Sequence, residues 1–236
     1  MVDPRVFIAL DYPSIHEVEQ LLAHWQHQQK PAIKIGYQLF YQLGPDWVKQ
    51  KKKEGYTIFL DLKLHDIPNT VANGVKSLLQ LGVDFLTLHA SGGAAMIEAA
   101  RSTVEKHQTK GNQMKLLAVT HLTSMSDQML HTELGVTESL TENVVRLAQL
   151  AHQSGTDGVI CSGQEVIEIK HATHPDFLAV TPGIRPHGVD ASDQQRVVTP
   201  ATAIQNGADY IVVGRAITHT KQPIEAYQQI CAEIQS

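Results

Sequence analysis

A repeated alternation limits the possible folds more than any other feature of this chain. Short apolar and β-branched runs recur from end to end, each followed by a segment with helical periodicity. The runs fall at 5–11 (RVFIALD), 32–36 (AIKIG), 56–63 (YTIFLDLK), 83–89 (VDFLTLH), 115–122 (KLLAVTHL), 157–161 (DGVIC), 177–181 (FLAVT) and 208–213 (ADYIVV). Helices are expected from Ser14, an N-cap with Glu17 three residues on, and over the stretch carrying Leu39, Phe40, Leu43, Trp47 and Val48. Others are expected over 69–81, 92–106, 141–154, 165–169, 200–206 and 223–234. Strand–helix alternation calls for a parallel sheet covered by helices. Eight repeats in 236 residues fit a single-domain α/β fold, a (β/α)8 TIM barrel spanning 1–236. An open doubly wound sheet should carry a GxGxxG turn after its first strand, where this chain reads Asp11-Tyr12-Pro13-Ser14. No linker or low-complexity tract divides the chain.

Barrel active sites lie at the carboxyl ends of the strands. Polar residues collect there: Asp11 in the first run, Lys34 in the second, Asp61 and Lys63 in the third, His89 in the fourth and Thr120 in the fifth. The third run continues as DLKLHDIPNT. Alternation puts Leu60, Leu62 and Leu64 on one side and Phe59, Asp61 and Lys63 on the other. Asp66 follows just past the strand, so two carboxylates bracket one ammonium. Burying such charges is costly unless they are paired. The pattern is either a structural ion pair closing a strand or an active site. Asp11, Lys34, Asp61, Lys63 and Asp66 are expected to ring one pocket. Lys63, flanked by Asp61 and Asp66, would stay an ammonium and serve as a proton donor. Three carboxylates could instead hold a metal, but the lysines among them argue against it.

Two later segments look like a phosphate grip. Thr181-Pro182-Gly183-Ile184-Arg185-Pro186 follows the seventh run, and Gly214 and Arg215 follow the eighth. The loops after strands seven and eight are the usual barrel phosphate site. Glycines let backbone N–H groups approach an anion, and arginine can contact it bidentately. The polar stretch 187–194 is either a surface loop or a lid carrying Gln194 to the ligand. The segment 121–125 (HLTSM) offers the hydroxyls of Thr123 and Ser124. The 13 histidines show no HExxH and no metal-ligand spacing.

Composition removes several function classes. With 42% apolar and 18% charged residues, disorder is not expected. A net charge of −5 gives no electrostatic case for nucleic acid. The one basic run, KQKKK at 49–53, reads as a solvated helix end. Cys161 and Cys231 form no CxxC or zinc pattern, which points to a reducing, cytoplasmic compartment. No signal-peptide layout and no run of 18 apolar residues occur, so no membrane span is expected.

On these residues the chain resembles the orotidine 5′-phosphate decarboxylase family over essentially its whole length. The signature is DxKxxDIPNT, here Asp61 to Thr70. It is supported by ALD (9–11), KIG (34–36), LTS (122–124), TPGIRP (181–186), DQ-RV-TP (193–200) and VVGRAIT (212–218). The resemblance implies a cofactor-free, metal-free decarboxylase of orotidine 5′-monophosphate, working as a homodimer with sites at the interface. It implies Lys63 as proton donor to C6 of the pyrimidine and Asp61 against the leaving carboxylate. Asp66, Ile67 and Thr70 would reach into the neighbouring subunit's site, while Asp11 and Lys34 would hold the ribose and the charge network. Thr123 or Ser124 would meet the base. Gln194, Gly214 and Arg215 would bind phosphate beside Pro182, and Arg185 would anchor the lid region. The nearest rival is a magnesium-dependent sugar-phosphate decarboxylase or synthase of the same superfamily. A non-catalytic phosphate-binding barrel is the rival from another class.

Overall fold

The computed structural model describes residues 2–109, 113–186 and 196–235. Eight strands form the expected barrel: β1 (Val6–Ala9), β2 (Ala32–Gly36), β3 (Ile58–Leu64), β4 (Phe85–His89), β5 (Lys115–Val119), β6 (Gly158–Ile160), β7 (Leu178–Thr181) and β8 (Tyr210–Val213). They pair in parallel in sequence order, and β8 closes on β1 through Val6↔Ile211 and Ile8↔Val213. Most strands are shorter than the apolar runs that announced them. The run at 5–11 yields only β1, although Leu10 N still donates to Lys34 O at 2.9 Å. Asp11 therefore stands just past the barrel rim, where a charge meets water.

The strand period of two sorts side chains into two layers. Val6, Ile8, Ile33, Ile35, Ile58, Leu60, Leu86 and Leu88 face outward and are covered by helices. Phe7, Ala9, Ala32, Phe59, Phe85, Leu117, Val119, Ile160, Val180 and Val212 fill the barrel. Phe7 meets Phe59 and Phe85 edge-on at centroid distances of 5.5 and 5.4 Å. This plug leaves no pore and forms the floor on which polar side chains stand.

Eight helices match the expected segments: α1 (Ile15–Ala23), α2 (Tyr37–Lys53), α3 (Pro68–Leu79), α4 (Ala94–His107), α6 (Leu140–Gln153), α7 (Val166–Ala172), α8 (Pro200–Gln205) and α10 (Pro223–Glu233). Ser14 caps α1 by accepting from Glu17 N, and Ser139 with Glu142 makes a capping box on α6. Two short helices, α5 (Asp127–Thr132) and α9 (Arg215–Thr218), were not expected. In α2, Gly44 at φ 73 followed by Pro45 makes a kink that a side chain at position 44 would strain.

The basic run at the end of α2 is only partly solvated. Lys51 is 3% exposed and bonds Glu19 at 2.8 Å and Glu54 at 3.0 Å, while Lys52 bonds Asp84 at 2.7 Å. Trp47 Nε1 donates to the same Glu19. These contacts fasten α2 to α1, so the lysines are anchors as well as a dipole complement. Among the described residues, no helix is long and apolar enough to cross a membrane.

Candidate active site

A cavity of about 560 Å³ opens at the carboxyl ends of the strands, on the floor made by Ala9, Phe59, Val119, Ile160 and Val212. Its charged wall comes from the first three strands. Lys34 Nζ donates to Asp11 Oδ1 at 2.9 Å and lies 3.6 Å from Asp61 Oδ2. Lys63 Nζ donates to the same Asp61 Oδ2 at 2.9 Å. The order is thus acid, base, acid, base: Asp11, Lys34, Asp61, Lys63. Strand register produces it, because Ala9 pairs with Lys34 and Gly36 with Asp61 across adjacent strands. Gly36 leaves the room it needs. A Cβ there would stand 3.2 Å from Asp11 Oδ1 and 3.4 Å from Lys34 Nζ.

Burial alone would raise the Asp61 carboxyl. The charges of Lys34 and Lys63 outweigh it and hold the group below the usual carboxylate range. Burial likewise pulls the Lys34 ammonium down, but Asp11 and Asp61 raise it above its ordinary value. Both groups therefore stay charged throughout the neutral range. The cluster resists the neutralisation that isolated buried charges undergo.

Lys63 is the one non-glycine residue with positive φ, at 49°, among the described residues. Such a conformation costs on the order of 1–3 kcal/mol and persists only where its surroundings enforce it. Two features enforce it here. The β3–β4 register shifts between Leu60 and Leu64, and Lys63 N donates to Thr87 Oγ1 at 2.8 Å. The Lys63 ammonium then sits 5.6 Å from the centroid of the Tyr37 ring.

The left-handed residue also ends the alternation expected for 59–64. Asp66 does not flank Lys63 within the chain, as the sequence had suggested. β3 stops at Leu64, residues 65–70 are exposed, and Asp66 Oδ1 accepts from Ile67 N at 2.6 Å. Ile67, 66% exposed, and Thr70 start α3 on the outer surface. Asp66, Ile67 and Thr70 do not line their own chain's cavity. Among the described residues, Asp61 is the carboxylate that pairs with Lys63.

The remaining walls come from later loops. Thr123 is buried and Ser124 exposed, and both border the cavity beside His121. Pro182, Gly183 and Arg185 border it after β7, and Gly214 and Arg215 after β8. Arg185 is buried, with Nη1 donating to Ile184 O at 2.9 Å. Gly183 stands at φ 76, which suits a glycine. Gln194 and the rest of 187–195 lie outside the described residues. Thr120, counted among the polar strand ends, is buried and donates to Ile160 O at 3.0 Å, away from the cavity.

Sequence reasoning missed a support beneath the loop after β5. Arg196 Nη2 donates to Leu122 O at 2.7 Å, and its Nη1 pairs with the buried Glu165. The pair straps the Thr123 turn to the start of α7. Separated by 31 positions in sequence, it leaves no periodic signal.

His65 and His89 face each other at 5.4 Å between ring centroids. Burial, then the neighbouring charges of His65 and Lys63, push His89 below its ordinary value of 6.5. Burial does the same to His121, whose Nε2 meets Asn143 Oδ1 at 2.8 Å. A histidine whose folded value is depressed binds its proton more weakly in the fold than in the open chain. Stability is then full above 6.5 and falls as pH drops below it. The thermal midpoint should therefore decline from pH 7.5 to pH 5.5, and His89→Asn should flatten that decline. An identical slope in wild type and variant would contradict the part assigned to His89.

Among the described residues, no group of three His, Cys, Asp or Glu side chains is placed to hold a metal ion.

The model of the orotidine 5′-phosphate decarboxylase / HUMPS family matches residues 4–230. An orotidine 5′-phosphate decarboxylase of Streptococcus pneumoniae (strain CGSP14) is 48% identical over 230 residues, covering 98% of this chain and 96% of the relative. The crystal structure of orotidine 5′-phosphate decarboxylase from Lactobacillus acidophilus superposes with a TM-score of 0.88 at 42% identity, covering 99% of this chain and all of that one. An uncharacterized conserved protein from Geobacillus kaustophilus superposes with a TM-score of 0.85 at 40% identity, covering 97% of this chain and 99% of its own.

Proposed function

The chain belongs to the orotidine 5′-phosphate decarboxylase / HUMPS family, and from that membership we infer that it is a carboxy-lyase converting orotidine 5′-monophosphate to UMP and CO2, the last step of UMP synthesis. The observation that carries the reading to a mechanism is the alternating chain of charges ending in the Lys63 ammonium at the cavity wall. Cleavage of the C6–carboxylate bond leaves its electron pair on C6, and the pyrimidine ring stabilises that charge poorly. A fixed ammonium beside C6 stabilises the developing charge and then donates a proton to it. Lys63 is left neutral and regains a proton from water. Asp61 stands against the departing carboxylate and holds Lys63 by the 2.9 Å contact. Asp11 and Lys34 meet the ribose, and Thr123 or Ser124 meets the base. None of these steps calls for a metal or an organic cofactor.

Arg215, with Gly214, Pro182 and Gln194, takes the phosphate at the other end of the ligand, and Arg185 braces that side. Phosphate binding far from C6 supplies energy for orienting the pyrimidine. Arg215→Ala should lower kcat/KM for orotidine 5′-monophosphate by about 100-fold, the worth of one or two charge-assisted hydrogen bonds. The same change should leave slow turnover of phosphate-free orotidine nearly unaltered. Equal losses on both substrates would remove Arg215 from the phosphate site.

The protein works as a homodimer in which Asp66, Ile67 and Thr70 complete the partner subunit's site. The exposed Ile67, and separately Tyr41 at 76% exposure stacked on Tyr37, are apolar surface of the kind such an interface covers. Two free cysteines, Cys161 and Cys231, suit a reducing cytoplasm. Neither a membrane nor a nucleic acid is assigned as partner.

The function is tested by offering orotidine 5′-monophosphate and a hexulose 6-phosphate separately, each with and without magnesium. Rapid release of CO2 from the nucleotide alone is the expected result. Turnover of the sugar phosphate alone, dependent on magnesium, would move the chain to the other branch of the family. A folded protein that binds phosphate and turns over neither would be a binding barrel.

A further inference from the structure

We propose that Thr87 is a positioning residue of this site, its hydroxyl orienting both the Asp61 carboxylate and the backbone turn that aims Lys63. This rests on the decarboxylase reading above. Thr87 lies on β4 with 0% exposure and does not border the cavity, so it acts only through its neighbours. β3 and β4 pair at Leu60↔Leu86 and again at Leu64↔Leu88. Between those pairs three residues of β3, Asp61, Leu62 and Lys63, face one residue of β4, Thr87. The bulge takes the Lys63 amide off the regular ladder, and a side chain receives it instead: Lys63 N donates to Thr87 Oγ1 at 2.8 Å.

A threonine hydroxyl has one proton. Since the amide can only donate, Oγ1 is the acceptor in that bond. Its own proton then goes to Asp61 Oδ1, 3.0 Å away. This bond occupies one carboxylate oxygen and leaves Oδ2 turned to both ammoniums, at 2.9 Å from Lys63 and 3.6 Å from Lys34. One buried hydroxyl thus fixes the rotation of the central carboxylate and satisfies the amide of the left-handed residue that follows it by two. Valine has the same branched shape and neither bond, so it leaves the amide unpaired and the carboxylate unpinned.

Thr87→Val and Thr87→Ser test this together with wild type, by kcat and KM for orotidine 5′-monophosphate, by thermal midpoint, and by crystal structures. Thr87→Val should lose about 30-fold or more in kcat with KM changed by less than about threefold, because orientation at the reacting end is lost and the remote grip is not. Thr87→Ser, which keeps the hydroxyl and loses a methyl, should recover most of kcat. In the valine variant's crystal structure, Lys63 should leave the left-handed region or lose its contact with Asp61. Undiminished kcat in Thr87→Val, or equal losses in the two variants, would overturn the proposal. If the valine variant does not fold, Thr87→Cys replaces it, with a weak donor of similar size, and kcat equal to that of Thr87→Ser would overturn it. If wild type does not convert the nucleotide, the decarboxylase reading fails. The crystal structures still decide the positioning role, and unchanged Asp61 and Lys63 geometry without the hydroxyl would reject it.

Discussion

Replacing Lys63 by alanine should abolish decarboxylation while leaving the protein folded and able to bind nucleotide. The side chain has two duties at one atom. As the ammonium beside C6 it stabilises charge that develops only in the transition state, an effect worth about 10²–10³-fold in comparable sites. As the acid that protonates C6 it contributes about 10²–10⁴-fold. The expected loss in kcat is therefore at least about 10⁴-fold. Stability should suffer little, because Asp61 keeps Lys34 at 3.6 Å and the Thr87 hydroxyl at 3.0 Å. Nucleotide affinity should also survive, since Arg215 and the loops after β7 and β8 border the cavity from strands other than β3. Steady-state turnover paired with calorimetric UMP binding checks both halves. Activity within tenfold of wild type would remove Lys63 from the mechanism.

Removing the charge at Asp61 should cost both stability and turnover. Asp61→Ala leaves Lys63 without its carboxylate and Lys34 with only Asp11. Truncating one member of a buried pair typically costs about 3–5 kcal/mol, much of it the penalty for the charge left behind. Urea denaturation at pH 7 should show a loss of that order, with kcat reduced as well because Lys63 is no longer held in place. The pH dependence has a definite sign. The folded Asp61 carboxyl lies below 3.8, so its contribution is complete above that value and is lost as pH falls through the lower folded one. The gap between wild type and Asp61→Ala should be constant across the neutral range and close only in strong acid. A gap that closed near pH 6 would mean that a histidine, and not Asp61, sets it.

The barrel was legible because strand and helix periods differ sharply and alternate eight times over. The proximity of Asp11, Lys34, Asp61 and Lys63 followed from one rule, that polar residues at carboxyl strand ends share a face. Asp66, expected at the same pocket from just past the strand, lies beyond the reach of that rule. Its place follows from the left-handed turn at Lys63, and that turn depends on pairing with β4, which the sequence of β3 does not encode. The two bonds of the Thr87 hydroxyl exist only because the β3–β4 register shifts opposite it. The anchoring role of Lys51 is hidden in the sequence for a related reason. A lysine in a basic run looks solvated until Glu19 of another helix arrives to pair with it. Short helices such as α9 and long-range straps such as Arg196–Glu165 leave no local pattern at all.

The most direct measurement is the ultraviolet absorbance change when the purified protein, stripped with EDTA, is mixed with orotidine 5′-monophosphate. Rapid conversion to UMP without added metal is the result predicted by a chain of two carboxylates and two ammoniums that does its own charge stabilisation. Conversion only after magnesium is restored would contradict that role for Lys63 and its neighbours. No conversion under either condition by a folded protein would contradict the decarboxylase itself.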